Sequence, residues 1–128
     1  KKSLSYIGFG GYGHQVRDVL HIDDVCKIIL KQINKLNKIN NQTFNIGGGI
    51  KNSISLKTLT AKCKVLTKNK IVLKKVAKTS QFDIPYYVTD NSKIAKFYKW
   101  KPNSSLDKIL KDIYIWLLQN KIVWKYFK

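Results

Sequence analysis

Apolar residues along this chain fall in short blocks whose period changes several times. Leu4 to Phe9 is dense in β-formers and predicts a strand, stopped by the turn Gly10-Gly11-Tyr12-Gly13. Gln15 to Ile22 alternates and predicts an extended segment. From Asp23 and Asp24 the period becomes helical. Val25, Ile28, Ile29, Ile33 and Leu36 make an apolar stripe, and the two acids suit the positive end of the helix dipole. The polar stretch from Asn37 to Gln42 frays that helix. Thr43 to Ile46 predicts a short strand, stopped by Gly47-Gly48-Gly49.

Ser55 is placed to cap a helix whose buried face is Leu56, Leu59, Cys63 and Leu66. Ile71 to Val76 predicts another strand. Ile84 to Val88 is extended, and Pro85 assigns it to an edge or an irregular segment. Asp90 caps a short helix carrying Ile94 and Phe97, which ends at Trp100-Lys101-Pro102. Ser104 and Asp107 resemble a capping box for a last helix that buries Leu106, Ile109, Leu110, Ile113, Trp116 and Leu117. The order is strand, helix, strand, helix, strand, helix, helix, which is α/β in character. There is no internal repeat and no linker dividing two domains. A parallel sheet needs both faces covered, so strands this few and short predict an incomplete domain. A beginning without Met, almost directly in a strand, suits a part of something larger.

Composition changes this picture little. The 128 residues are 44 % apolar, enough for a core, and no apolar run reaches the length of a membrane span. No signal peptide is predicted, because no small-residue cleavage site follows an apolar stretch. The formal charge of +18, from 25 basic and 7 acidic residues, suggests nucleic acid or an anionic membrane at first sight. The pattern argues otherwise. Every basic residue but Arg17 is Lys, Glu is absent, and Lys, Ile and Asn are heavily used while Ala is scarce, as an AT-rich coding sequence would give in any protein. Arginine is also the side chain that best grips phosphate and guanine. A membrane partner is therefore set aside, and a basic nucleic-acid-binding module is kept as a rival reading, beside that of a non-catalytic partner in an assembly. Cys26 and Cys63 lie far apart on apolar helix positions and predict small buried thiols in a reducing cytoplasm.

Candidate chemistry is sparse. Gly8-x-Gly10-x-x-Gly13 has the letters of a dinucleotide fingerprint, but a β-like stretch follows where a helix should begin, and no acid stands about 20 positions on. Gly47-Gly48-Gly49 reads better as a tight turn needing positive φ than as a phosphate cradle, since the P-loop Lys-Ser/Thr pair does not follow in register. His14 and His21, seven apart in an extended stretch, would point to opposite faces, which argues against a metal site. Arg17 stands beside a glycine turn, where its guanidinium could hold a diphosphate with two parallel hydrogen bonds or pair with Asp18 or Asp23. No Tyr-x-x-x-Lys pair, nucleophile-base arrangement or carboxylate pair stands out.

The segment Gly10 to Val25, with its Gln15-Val16-Arg17-Asp18 core and the His21-Ile22-Asp23 that follows, resembles the extended short-chain dehydrogenase/reductase family of NAD-dependent epimerases and dehydratases. Two further blocks agree in order and spacing: Phe44 to Gly49 with Asn52 to Leu56, and Asp83 to Lys93 with Trp100-Lys101-Pro102. The wording is most similar to the CDP-paratose 2-epimerase subfamily. The resemblance spans about residues 6 to 120. It implies the last strand and helices of a Rossmann-type sheet plus a small α/β substrate-binding subdomain, the C-terminal portion of a longer cytoplasmic enzyme.

By that resemblance Arg17 clamps the diphosphate of a nucleotide-diphosphate sugar, Asp83 accepts from ribose hydroxyls, Tyr87 lies near the sugar, and Gln15 shapes the same pocket. NAD, the catalytic Tyr and Lys, and the cofactor glycine loop would belong to the remainder of the enzyme chain, so these 128 residues carry no catalytic residue and expect no cofactor of their own. Partners would be that remainder and, as the family allows, a second copy. Two departures stand out. The family's Arg three residues before the closing Asp is Ser80 here, with Lys75 or Lys78 as candidate substitutes, and the usual Gly before that Asp is Phe82.

Overall fold

The computed structural model describes residues 4–37 and 41–127. Its strands are β1 (Leu4–Ile7), β2 (Val16–Asp18), β3 (Ser53–Ser55) and β4 (Leu73–Val76). Its helices are α1 (Ile22–Ile33), α2 (Leu56–Thr67), α3 (Ser92–Tyr98) and α4 (Leu106–Gln119), with 3-10 turns at Phe9–Gly11, Ile50–Asn52 and Lys121–Phe127. The α/β class is borne out, in two small sheets. Strands β1 and β4 run parallel, Leu4 opposite Leu73 through Ile7 opposite Val76, whereas β2 and β3 run antiparallel, Val16 opposite Ser55 through Asp18 opposite Ser53. The Pro85 segment lies beside β2 as an irregular edge, touching it by a single parallel bridge between Val16 and Tyr86.

Side-chain acceptors set the helix starts. His21 caps α1 through Nδ1, which accepts from the Asp23 N–H, and Ser55 caps α2 by accepting from the Thr58 N–H. Asp90 accepts from the Ser92 N–H at 2.8 Å, one position ahead of the Asn91 cap of α3. For α4 the cap is Ser105 rather than Ser104: the Ser105 hydroxyl accepts from the Lys108 N–H, while the Ser104 N–H is turned to another partner. That N–H, with the N–H of Asn103, donates to the Asp24 carboxylate at 2.9 and 3.1 Å. Asn52 Nδ2 then donates to the Ser104 carbonyl, and the Val19 N–H to the Asn52 carbonyl. One buried acid thus ties the head of α1, the 50–52 turn and the approach to α4 together.

The core is Ile28, Ile94, Tyr98 and Trp100, with Leu20 and Phe44 against it. Phe44 meets the rings of Phe97 and Tyr98 edge-on, at 5.5 and 5.4 Å. Several expected core positions lie outside it. Phe97 is exposed and Tyr98 fills the core instead. Ile29, Ile33 and Leu36 are exposed, no residue of α2 is buried, and of the predicted face of α4 only Ile109 is buried, with Ile113 and Trp116 half exposed. Cys26 is exposed and Cys63 half-buried, so neither is the fully buried thiol that its helix position predicts. Thr43 to Ile46 pairs with no strand among the described residues, so that predicted strand is absent, while the expected fraying falls partly on residues outside those described. Of the Gly47–Gly49 run only Gly49 has positive φ. Gly48 is required by a close approach: a Cβ there would strike the Val19 backbone. The aromatic tail folds back as a 3-10 turn in which Trp124 Nε1 donates to the Leu117 carbonyl at 2.9 Å.

Burial opposes ionisation of Asp24, but the N–H groups of Ser104 and Asn103 and the charge of Lys27 outweigh it and hold the carboxyl below its ordinary value. A lowered carboxyl contributes stability above its unfolded-state value, and loses it as pH falls through the folded one. Asp24→Ala should therefore cost about 2–4 kcal/mol in urea unfolding near neutrality, with the deficit shrinking as the pH drops below the ordinary carboxylate range. Gly48→Ala should cost about 2–4 kcal/mol in the same assay by forcing β2 and the glycine run apart.

Candidate functional site

The site starts from β2. Its alternation sends Arg17 and Asp18 to opposite sides. Asp18 is consumed structurally, accepting from the Gly49 N–H at 2.8 Å and from the Thr89 hydroxyl at 3.3 Å. On its own side Arg17 meets Asp83, Nη2 to Oδ1 at 3.2 Å, while Nη1 donates to the Val16 carbonyl at 2.7 Å. The ion pair open at the sequence level thus falls to neither Asp18 nor Asp23, which lies beside His21.

Gln15 completes the cluster from below. It is only 5 % exposed, and its Nε2 donates to the Ile7 carbonyl at 2.5 Å and to Asp83 Oδ2 at 3.5 Å. Its Oε1 is buried without a hydrogen-bond partner. Gly8, at φ 82°, lets the chain pass here: a Cβ would come within 3.2 Å of Asp83 Oδ2. Asp83 is presented by a turn in which its N–H donates to the Ser80 carbonyl and the Phe82 N–H to Ser80 Oγ. The departure at Ser80 thus supplies a turn residue rather than a charge, and the Phe82 side chain projects into solvent. Lys75 does not replace the missing guanidinium beside Asp83, since its ammonium lies over the Tyr12 ring, 4.8 Å from the centroid.

Backbone pairing holds the two halves of the cluster together. The Val16 N–H donates to the Pro85 carbonyl at 2.9 Å, and the Tyr87 N–H to the Val16 carbonyl at 3.1 Å. Gln15, Arg17 and Asp83 therefore converge. Tyr87 joins them through its backbone, and its half-exposed ring makes no hydrogen bond or ring contact with the other three. Its neighbour Tyr86 faces a cleft of about 660 Å³, which Gly48, Gly49, Trp100 and Pro102 also line and which none of the four predicted residues reaches. Thr79 was missed at the sequence level: its hydroxyl accepts from the Phe9 N–H at 2.7 Å, and no spacing signal pointed to it.

The glycine turn does not fit a dinucleotide. Phe9–Gly11 is a 3-10 turn followed by β2, and the first helix after it begins only at Ile22, so no helix N-terminus faces these glycines. The two histidines also lie in separate settings. His14 stacks on Tyr12 at 5.9 Å. His21 accepts at Nδ1, so its proton sits on Nε2, which donates to Asp112 at 3.1 Å.

Comparison with known proteins gives the class first. Residues 2–47 match the NAD dependent epimerase/dehydratase family. The backbone superposes on UDP-glucose 4-epimerase from Stenotrophomonas maltophila, a structure with bound NAD and formylated UDP-arabinopyranose, with a TM-score of 0.78 at 21 % identity over 94 % of this chain and 36 % of that one. It also matches UDP-glucose 4-epimerase of Thermotoga maritima with UDP-glucose, with a TM-score of 0.60 at 29 % identity over 82 % of this chain and 32 % of that one. The chain is thus a relative of the NAD-dependent epimerases and dehydratases, as its three sequence blocks resemble. The particular likeness is to CDP-paratose 2-epimerase of Salmonella typhi, 33 % identical over 110 residues, which are 83 % of this chain and 31 % of that protein. The chain spans about a third of the length of this curated relative.

Gln15→Leu leaves the Ile7 carbonyl without its donor and frees Asp83 to rotate. Its expected cost is about 1–3 kcal/mol in thermal or urea unfolding. No change in stability would show that the Gln15 amide does not hold β1 to the cluster.

Proposed function

We propose that this chain supplies the nucleotide-diphosphate-sugar-binding wall of an NAD-dependent sugar epimerase, with a CDP-linked sugar as the preferred ligand. The observation that carries the reading is the convergence of Arg17, Asp83 and Gln15, brought together across 66 residues of sequence. A guanidinium held by one carboxylate oxygen and one backbone carbonyl, with its side chain 41 % exposed, has the planar fork and the solvent access that a diphosphate needs. Asp83, tied by Gln15 on its other oxygen, is an acceptor of fixed direction for ribose hydroxyls. Tyr87 then offers an apolar wall at the rim, beside the sugar.

The relatives support the ligand class: the Stenotrophomonas and Thermotoga epimerases are structures with UDP-linked sugars. The cytosine preference rests on the likeness to CDP-paratose 2-epimerase alone. In the proposed whole enzyme NAD takes a hydride from a sugar hydroxyl and gives it back on the other face. No step of that chemistry is assigned to these residues, since the glycine turn here does not fit the cofactor. The wall binds and orients, and it sits in the cytoplasm with the rest of the enzyme.

Isothermal titration of the chain with CDP tests the reading. Arg17→Ala should weaken binding about tenfold or more, and Arg17→Lys should restore only part of it, because an ammonium cannot copy the fork. Equal CDP affinity for wild type and Arg17→Ala would falsify the assignment. In the same preparation NAD and a CDP-linked sugar should give no epimerisation, and turnover by these 128 residues would overturn the placement of the hydride chemistry elsewhere.

A further inference from the structure

The turn that presents Asp83 also presents an aromatic ring. Phe82 is 83 % exposed, as open as any large hydrophobic residue among those described. Among the described residues no other ring stacks on it and no ammonium lies over it, so its faces are open to solvent. Its backbone is fixed all the same. The Phe82 N–H donates to Ser80 Oγ at 3.3 Å and the Asp83 N–H to the Ser80 carbonyl at 3.0 Å, closing the turn. Just before it, the Thr79 hydroxyl ties the segment to the glycine turn through the Phe9 N–H. The two departures of this segment are thus one unit: the hydroxyl of Ser80 holds the backbone of Phe82.

The direction of the chain says what that ring can reach. The bridge between Val16 and Tyr86 is parallel. Tyr87 is therefore level with Arg17, and each step back from Tyr86 to Asp83 and Phe82 leads away from the guanidinium. In a nucleotide the two hydroxyl carbons of the ribose lie between the carbon bearing the base and the arm bearing the phosphates. A carboxylate that holds those hydroxyls has the diphosphate on one side and the base on the other. Arg17 stands on the first side of Asp83 and Phe82 on the second, so the segment follows the order of the ligand: sugar, diphosphate, ribose, base.

We propose that Phe82 is the base platform of this site, its ring stacking on the pyrimidine of the nucleotide whose ribose Asp83 holds. The inference rests on the nucleotide-sugar reading above and adds to it the contact for the base. Within the turn the ring is flanked by Gln81 and Asp83, so it is an isolated apolar spot that suits one flat base rather than a protein face. Stacking needs only a π-face, which cytosine and uracil both have, so Phe82 grips the base without choosing between them.

Calorimetric titration of the chain with CDP, UDP and inorganic pyrophosphate tests it, with the wild type beside Phe82→Ala, Phe82→Leu and Phe82→Trp. The ring is exposed, so each variant should keep the wild-type circular dichroism spectrum. Phe82→Ala should weaken CDP and UDP by the same factor, about tenfold, and leave pyrophosphate binding unchanged. Phe82→Leu should restore only part of the loss, because an aliphatic side chain has no π-face. Phe82→Trp should restore all of it, and CDP should quench its indole fluorescence beyond the quenching seen in the wild type. Unchanged CDP affinity in Phe82→Ala, with Arg17→Ala weakened, overturns this inference alone. So does a loss of pyrophosphate binding equal to the loss of CDP binding, which would make Phe82 a prop for the turn. Weakening by Phe82→Ala with none by Arg17→Ala overturns only the diphosphate assignment, and a wild-type chain that binds no CDP overturns both.

Discussion

Val16 is the hinge on which the candidate site turns. Its N–H reaches Pro85, its carbonyl receives both the Tyr87 N–H and the Arg17 guanidinium, and its strand is paired on the other side with β3. Remove that pairing and Asp83 has no reason to lie beside Arg17. A guanidinium left alone on so cationic a surface would be repelled by its neighbours rather than held ready for an anion. The same bonds explain the irregularity of the closing segment. Pro85 has no N–H to give, so the ladder cannot extend from the Val16–Tyr86 bridge back toward His14.

A division of labour follows along β2. Arg17 faces the cluster and remains partly solvated, while Asp18 is turned into a structural clasp for the glycine run. The clasp, the Asn91 amide against Gly47 and the Asp24 carboxylate against the 103–104 backbone are all polar side chains doing the work that β-ladders or apolar packing do elsewhere. With only six hydrophobic residues buried among those described, such hydrogen bonds carry much of the positional order. Each has a partner whose removal would leave a charged or polar group stranded.

The family resemblance was legible because it is carried by short polar motifs, Gln15 to Asp18 and Asp83 to Lys93, whose residue types are dictated by hydrogen bonds they must make. Helix starts were legible for the same reason: Ser55 caps α2 as its position suggested. Burial was far less legible. Ile29, Ile33, Ile113 and Trp116 carry the periodicity of core residues and lie exposed, since periodicity reports that a face is meant to be covered and not what covers it. The Thr43–Ile46 strand was misjudged on the same ground. Strand propensity is local, whereas a ladder needs a second backbone alongside.

The amino-acid order by itself determined the α/β class, the capping acids and hydroxyls, the lone guanidinium and the likeness to nucleotide-sugar epimerases, because each depends on residues within a few positions of one another. Only the tertiary structure decided which carboxylate meets Arg17. Asp18 and Asp23 are near in sequence, yet strand alternation and a helix cap direct them elsewhere, and Asp83 arrives from 66 residues away on the backbone bonds of Val16. Long-range pairing of this kind is chosen by the path of the main chain, which no local pattern encodes.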